Sequence, residues 1–102
     1  MNVMTPNEII DACAYAWGIT KKDILGKNRQ RSISSAKHFA RHLMSKRLGM
    51  SSTQIAKVFG CTHATVLHSF QQVNAWNIYR EDELPELVLA SVAERILKNG
   101  RL

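Results

Sequence analysis

The stretch 51–70, SSTQIAKVFGCTHATVLHSF, constrains the fold most because it carries the start and stop signals of two helices separated by one tight turn. Ser51 and Gln54 have the spacing of a capping box, which predicts that a helix begins just after Ser51. Gly60 can adopt the left-handed conformation that ends a helix, and Thr62 can cap the next one. Such a pair is typical of a helix-turn-helix, whose second helix enters the DNA major groove, or of a packed hairpin without a ligand.

The remaining segments show helical spacing, and none has convincing strand alternation. Thr5 and Thr20 are predicted to cap the first two helices, and Ser34 or Ser35 to cap a longer third one. Pro85 marks the start of the last helix. A chain of 102 residues with 45% hydrophobic content supports one compact domain. We therefore predict a single all-α domain, residues 1–102, with about six helices that include a helix-turn-helix.

Helical spacing also predicts which side chains face the core and which face solvent. In the first helix, the apolar stripe consists of Ile9, Cys13, Ala16 and Trp17, and core packing is expected for Tyr15 as well. In the last helix, the predicted inward positions are Leu87, Val88, Val92 and Ile96. In the third helix, the basic side chains expected to stay in solvent are Lys37, Arg41, Lys46 and Arg47.

The charge of the chain favours a helix-turn-helix with an anionic partner over a packed hairpin without a ligand. The net charge is +6 and the pI is about 9.8. Residues 21–47 hold nine basic residues and one acid, a formal charge of +8, whereas residues 80–95 carry −3. This asymmetry is expected to present one basic face to a polyanion. No apolar run approaches the roughly 20 residues of a membrane span, and no signal peptide is evident, so we expect a cytoplasmic, nucleoid-associated protein.

The segment 26–35, GKNRQRSISS, has no helical apolar period. It carries cations on alternate residues: Lys27, Arg29 and Arg31. In an extended chain, alternate side chains lie on one edge, an arrangement that suits phosphate contacts or an arginine in a minor groove. A solvated basic loop without a partner is the alternative.

The order of these features resembles a known family. The strings WGI at 17–19, GKNR at 26–29, IAKVFG at 55–60 and HATVLH at 63–68 are similar to those of the C-terminal DNA-binding domain of DnaA, the bacterial chromosomal replication initiator. The similarity runs from about Ile9 to Leu97. It implies a monomeric domain that binds a short double-stranded DNA site through two grooves at once.

Carried over by position, the resemblance assigns a role to each candidate residue. Arg29 would be the minor-groove arginine, and the phosphate contacts would come from Lys27, Arg31 and Lys37. The base edges in the major groove would be met by His63, Ala64 and Thr65. The first turn after Ser51, with Ser52 and Thr53, would offer backbone N–H groups to a phosphate. A methyl group of Ala64 or Thr65 can pack on a thymine methyl.

The chain also departs from the family's pattern. Where the family has Gly-Gly-Arg-Asp before its histidine, this chain has the shorter Gly60-Cys61-Thr62, so that Thr62 replaces the acid. Ala64 replaces the first threonine of the family's pair. The target sequence can therefore differ. No G-x-x-x-x-G-K-[ST] loop is present, so no nucleotide is expected. The predicted role is a regulator of replication or transcription that competes with or assists a replication initiator.

The sequence gives less support to two other classes of function, a small enzyme and an interaction or membrane-surface module. His38 and His42 lie one helical turn apart, a spacing that metal sites use, but no Cys, Asp or Glu is placed to complete a set. We therefore expect no catalytic residue, no metal and no cofactor. Cys13 and Cys61 are isolated and are expected to stay unpaired in a reducing cytosol. A protein-interaction module with a basic surface and no specific DNA target remains the alternative function, and membrane binding is not expected because the cations spread over several elements.

Overall fold

The computed structural model describes residues 4–28 and 30–99, and these form six α-helices, one 3₁₀ turn and no strand. The helices are α1 (Pro6–Trp17), α2 (Lys21–Leu25), α3 (Arg31–Leu48), α4 (Ser52–Phe59), α5 (His63–Ala75) and α6 (Pro85–Asn99), with the 3₁₀ turn at Trp76–Ile78. The predicted all-α fold of about six helices is confirmed. The sequence also predicts that Gly100 lies just past the end of the last helix, and this residue lies outside the described residues.

Side-chain caps set most helix starts where the sequence predicts them. Thr5, Thr20, Ser51 and Thr62 each accept a hydrogen bond from the backbone N–H three residues later. Gly60 ends α4 with a φ of 64°, in the left-handed region, and its N–H donates to the Ala56 carbonyl. The first helix of the predicted helix-turn-helix therefore begins and ends at the expected residues, and the second begins where the Thr62 cap predicts. The second is expected to run to Ile78 or Tyr79, but it ends at Ala75 and a 3₁₀ turn continues to Ile78.

The start of α3 differs from the prediction. The helix begins at Arg31, one turn before Ser34 or Ser35. Gln30 occupies the N-cap position without a side-chain cap, and its carbonyl accepts from the Ser34 N–H at 2.8 Å. Burial of Ile33 stabilises this additional turn, so tertiary packing replaces the missing cap. The Ser35 hydroxyl instead donates to the Glu86 carboxylate at 3.2 Å.

The core is built around α3, which lies between α1 and α5. α1 packs on α3 and α6, α3 also packs on α5, and α4 packs mainly on α5. The large side chains with almost no exposed surface are Ile9, Ile10, Ile24, Leu43, Met44, Ile55 and Val66. No helix among the described residues is both long and apolar enough to cross a membrane.

Two predictions about buried side chains are wrong. Tyr15 is 64% exposed, while its neighbour Trp17 is buried as expected. In α6 Leu87 and Ile96 are partly buried against the core as expected, but the buried residues are Ala90, Ala93 and Leu97, and Val88 is 44% exposed. Most positions between 87 and 97 are apolar, so more than one face of α6 fits a core, and its packing against α1 selects the face with alanines.

Candidate nucleic-acid interface

A groove of about 920 Å³ lies between the basic loop and the helix-turn-helix. One wall consists of residues 25–28, and the other of the end of α4, the turn at 60–61, and Thr65 and His68 of α5. Between them lie four residues of α3: Ser34, Lys37, His38 and Arg41. No described residue that lines this cavity is acidic. We call it the interface groove.

The N-terminal end of α5 forms an exposed rim of this groove. Thr62, His63, Ala64 and Thr65 are all exposed, so no part of the described chain covers the helix tip. The Thr62 side chain accepts from the Thr65 N–H at 3.2 Å, and the two hydroxyls lie 3.1 Å apart. Val66 and Ser69 are buried on the side of α5 that faces the core. The tip is therefore both rigidly capped and accessible, as a helix that enters a DNA groove requires.

The start of α4 presents a second exposed helix end. The Ser51 N–H donates to the Gln54 side chain at 2.9 Å, and the Gln54 N–H donates to the Ser51 hydroxyl at 3.1 Å. This capping box leaves the N–H groups of the intervening Ser52 and Thr53 available. Thr53 is exposed and Ser52 is half-buried. Together with the helix dipole, such free N–H groups suit a phosphate.

In the basic loop, Lys27 is exposed and lines the interface groove. Arg29 lies outside the described residues, so its place in a minor groove stays a prediction. On either side of it, the Gln30 N–H donates to the Asn28 side chain at 2.9 Å, and both of these residues are exposed.

Arg31 does not share an extended edge with Lys27. It belongs to the first turn of α3, so the prediction of cations alternating along one extended segment is wrong. Its side chain is 86% exposed, with Nε 4.0 Å from a carboxylate oxygen of Glu86. An exposed ion pair at this distance is weak, so Arg31 stays available to a phosphate.

Lys37 corrects another prediction, because its side chain is buried and not in solvent. The ammonium group donates to the Gly26 carbonyl at 2.7 Å and to the Asn28 carbonyl at 2.8 Å. Carbonyls on both sides of Lys27 therefore hold this cation inside the protein. Lys37 fixes the basic loop to α3, and we omit it from the residues that contact phosphate.

Arg41, also expected in solvent, is buried. Its Nη1 donates to the Ser69 hydroxyl at 2.9 Å, and its guanidinium carbon lies 4.7 Å from the centre of the Phe59 ring. The Nε atom has no hydrogen-bond partner. Within the described part of the chain, no carboxylate lies within 4 Å of Arg41. The cation is thus held by a hydroxyl and an aromatic face, with no carboxylate partner among the described residues.

His38 joins the same cluster. Its Nδ1 lies 2.8 Å from the Ser69 hydroxyl, and its ring meets the edge of the His68 ring, with 5.6 Å between centroids. Burial, assisted by electrostatic interactions with Arg41, His68 and Lys37, lowers the pKa of His38 from 6.5 to about 4. The imidazole is therefore neutral at pH 7, with Nδ1 hydrogen-bonded to the Ser69 hydroxyl.

The other candidate chemistry of the sequence is not assembled into a site. No group of three His, Cys, Asp or Glu side chains within residues 4–28 and 30–99 is arranged to hold a metal ion. Cys13 and Cys61 are free thiols. Burial, helped by Glu94, raises the pKa of Cys13 to about 12, so this thiol stays protonated.

Two exposed residues of α5 were missed by the sequence analysis. His68 lines the interface groove beside Thr65, and Leu67 is 42% exposed. They follow Ala64 by four and three positions, so helical spacing places them on its face. That spacing is the signal that could have found them, but the assignment of base-contacting residues stopped after one turn.

Comparison with known proteins gives a consistent result. A family model described as "Bacterial dnaA protein helix-turn-helix" matches residues 6–73. The chain is 36% identical over 70 residues to chromosomal replication initiator protein DnaA 2 of Protochlamydia amoebophila. The matched region is 69% of this chain and 16% of that protein. It is 29% identical over 92 residues to DnaA of Picosynechococcus sp., or 89% of this chain and 20% of that protein. Against DnaA of Gloeothece citriformis, identity is 28% over 94 residues, or 91% and 20% of the two proteins. The chain thus spans about a fifth or less of these relatives.

Proposed function

We propose that this chain, which belongs to the bacterial DnaA helix-turn-helix family, binds double-stranded DNA at specific sequences. In this proposal α5 enters the major groove, and the loop around Arg29 enters the adjacent minor groove. The observation that carries it is the interface groove, because residues 25–28 of the basic loop form one wall and the helix-turn-helix, through the turn at 60–61 and Thr65 and His68 of α5, forms the other.

The geometry of B-DNA supports this arrangement. A major groove about 12 Å wide admits an α-helix, and one phosphate backbone separates it from the neighbouring minor groove. A protein with one element in each groove therefore needs a channel between them for that backbone. The interface groove supplies the channel, and Lys27 and His68 line it as candidate phosphate contacts. Acidic side chains, which would repel phosphate, do not line it among the described residues.

Three side chains at the tip of α5 are the proposed base readers. His63 offers ring nitrogens, and the methyl groups of Ala64 and Thr65 can pack on thymine methyls. The Thr65 hydroxyl lies 3.1 Å from that of Thr62, so the cap itself orients the group that faces a base. Thr62 stands where the family has an acid. A carboxylate only accepts hydrogen bonds, whereas the Thr62 hydroxyl both donates and accepts them.

Contacts to phosphate are proposed to position the domain on the duplex. The free N–H groups of Ser52 and Thr53 at the start of α4 and the exposed Arg31 are the candidates besides Lys27 and His68. Such contacts release counterions, so log K should fall with log salt concentration with a slope of about −0.9 for each phosphate contacted.

The cellular role follows from what the chain shares with its relatives. It matches a fifth or less of the replication initiators' length, and that part is their helix-turn-helix. We propose a regulator of replication or transcription in the nucleoid that occupies sites on DNA, where it competes with or assists a replication initiator.

Selection of bound sequences from a random duplex pool tests the proposal, followed by mobility shifts on the recovered duplex. Arg29→Ala should weaken specific binding about tenfold, with the larger loss at A·T-rich flanks, because minor-groove readout distinguishes chiefly A·T from G·C. His63→Ala should instead relax base preference at one or two positions. Lys98→Ala, an exposed lysine in the last turn of α6, is the matched control and should bind nearly as the parent does.

Two results would contradict the proposal. One is a pool without an enriched sequence, the outcome expected of a protein-interaction module with a basic surface. The other is an equal loss on every sequence for both variants, which would leave binding to DNA in place but remove the assigned roles.

A further inference from the structure

One face of α3 holds both walls of the interface groove. The residues involved are Lys37, His38 and Arg41, at positions i, i+1 and i+4 of the helix. We infer that Lys37 and Arg41 are positioning residues, which set the separation between the basic loop and α5 so that both match adjacent grooves of one duplex. This inference rests on the proposed function, and it adds residues that act on DNA recognition without touching DNA.

Lys37 controls the loop wall. Its buried ammonium group binds the Gly26 and Asn28 carbonyls at 2.7 and 2.8 Å, one on each side of Lys27. Two donors from one cation fix the curvature of a short segment that lacks helical hydrogen bonds of its own. Charged hydrogen bonds are about twice as strong as neutral ones, so the loop is held in shape before DNA arrives.

Arg41 controls the helix wall through Ser69. The Ser69 hydroxyl is fully buried. It accepts a hydrogen bond from Nη1 of Arg41 at 2.9 Å and lies 2.8 Å from Nδ1 of His38. It also lies 3.3 Å from the Thr65 carbonyl, one turn closer to the helix tip. Because hydrogen bonds are directional, the contacts of Ser69 with Arg41 and His38 on α3 fix the rotation of α5 about its axis, and with it the direction of Thr65 and His68.

A purely stabilising role does not account for this cluster. Arg41 is a buried cation with no carboxylate within 4 Å in the described part of the chain, so its burial costs desolvation energy, and an apolar side chain of similar size commonly packs in such a place at least as well. Buried polar groups are retained in some proteins because they select one packing register. Here the buried polar groups would select the position of the basic loop and of α5 on α3.

Double-mutant cycles measured on the selected duplex test the inference. Lys37→Met should weaken binding about tenfold in the parent chain but less than about twofold in the Arg29→Ala background. The position of the loop affects DNA binding through Arg29, so it should matter little once that side chain is removed. Lys46→Met makes the same substitution at an exposed site in the last turn of the same helix, and its small effect should be equal in both backgrounds.

The second arm uses Ser69→Ala, which deletes one oxygen. Its loss should likewise shrink when His63→Ala is already present, whereas Lys46→Met should again act independently. Thermal melts establish that each variant is folded at the assay temperature. If Lys37→Met is unfolded there, the Ser69 cycle decides alone, because its sub-additive losses support positioning and additive losses refute it.

The outcomes distinguish the positioning role of Lys37 and Arg41 from the proposed binding to two grooves of DNA. Losses that add fully in both cycles would overturn the positioning role and leave the proposed function intact. An Arg29→Ala variant that binds the selected duplex like the parent would overturn the two-groove mode itself. Smaller losses in the Arg29→Ala and His63→Ala backgrounds, together with additive controls, are the expected result.

Discussion

Acidification should destabilise this protein through His38. The ring is half-buried, and Lys37 and Arg41 on α3 and His68 on α5 all oppose its protonation. Its Nδ1 is hydrogen-bonded to the Ser69 hydroxyl at 2.8 Å. The folded state therefore resists the proton that the unfolded chain takes up.

The sign and size follow from the pKa values. The folded pKa of about 4 lies below the ordinary 6.5, so this group's contribution is complete above pH 6.5 and is lost as the pH falls towards 4. Between pH 7.5 and pH 5, these two values give a loss of about 2 kcal/mol. Because the ring is only half-buried, solvent screening reduces the expected loss to about 1 kcal/mol. In a domain of this size that corresponds to roughly 4–8 °C in Tm.

Urea unfolding at pH 5 and pH 7.5 measures this effect in the parent and in His38→Gln. Glutamine keeps a hydrogen-bonding group near Ser69 but does not titrate. The parent should lose about 1 kcal/mol more than the variant between the two pH values. His42, whose pKa is also lowered by burial, is present in both proteins and cancels in the difference. Identical pH dependence of the two proteins would refute the role given to His38.

Three further predictions concern stability, each measured by urea unfolding. Gly60→Ala should cost about 1 kcal/mol from its φ of 64° alone, since no atom lies within 4 Å of the added Cβ, and Gly60→Asn should cost less; equal losses would argue against backbone strain. Thr62→Ala should cost about 1 kcal/mol by removing the α5 cap, and Thr62→Ser should restore it; a neutral alanine would contradict the cap. Ile55→Ala should cost about 3 kcal/mol at a fully buried site, against at most about 0.5 for Val88→Ala, and a reversed order would contradict the assigned face of α6.

Local signals predicted the helix-turn-helix well because they act over three or four residues. The capping box at Ser51 and Gln54, the left-handed Gly60 and the Thr62 cap all occur as expected. The exposure of His63, Ala64 and Thr65 followed from the same register. Each of these features depends on backbone groups that the helix itself leaves free.

Predictions failed where a distant contact decided the outcome. No capping side chain in the sequence predicts the extra turn at Arg31. Burial of Ile33 supplies the stabilisation that a cap would otherwise give. The face of α6 was ambiguous because apolar residues surround most of it, so contact with α1 placed Ala90 and Ala93 inside and Val88 outside.

The sequence by itself determined the helical register, the positions of the caps and the excess of cations before the helix-turn-helix. Only the tertiary structure decided which cations face solvent. Lys37 and Arg41 have the composition of surface residues, yet loop carbonyls and Ser69 lie close enough to compensate their desolvation. Those partners are 9 to 28 residues away along the chain, and no periodicity reports a hydrogen bond over that distance.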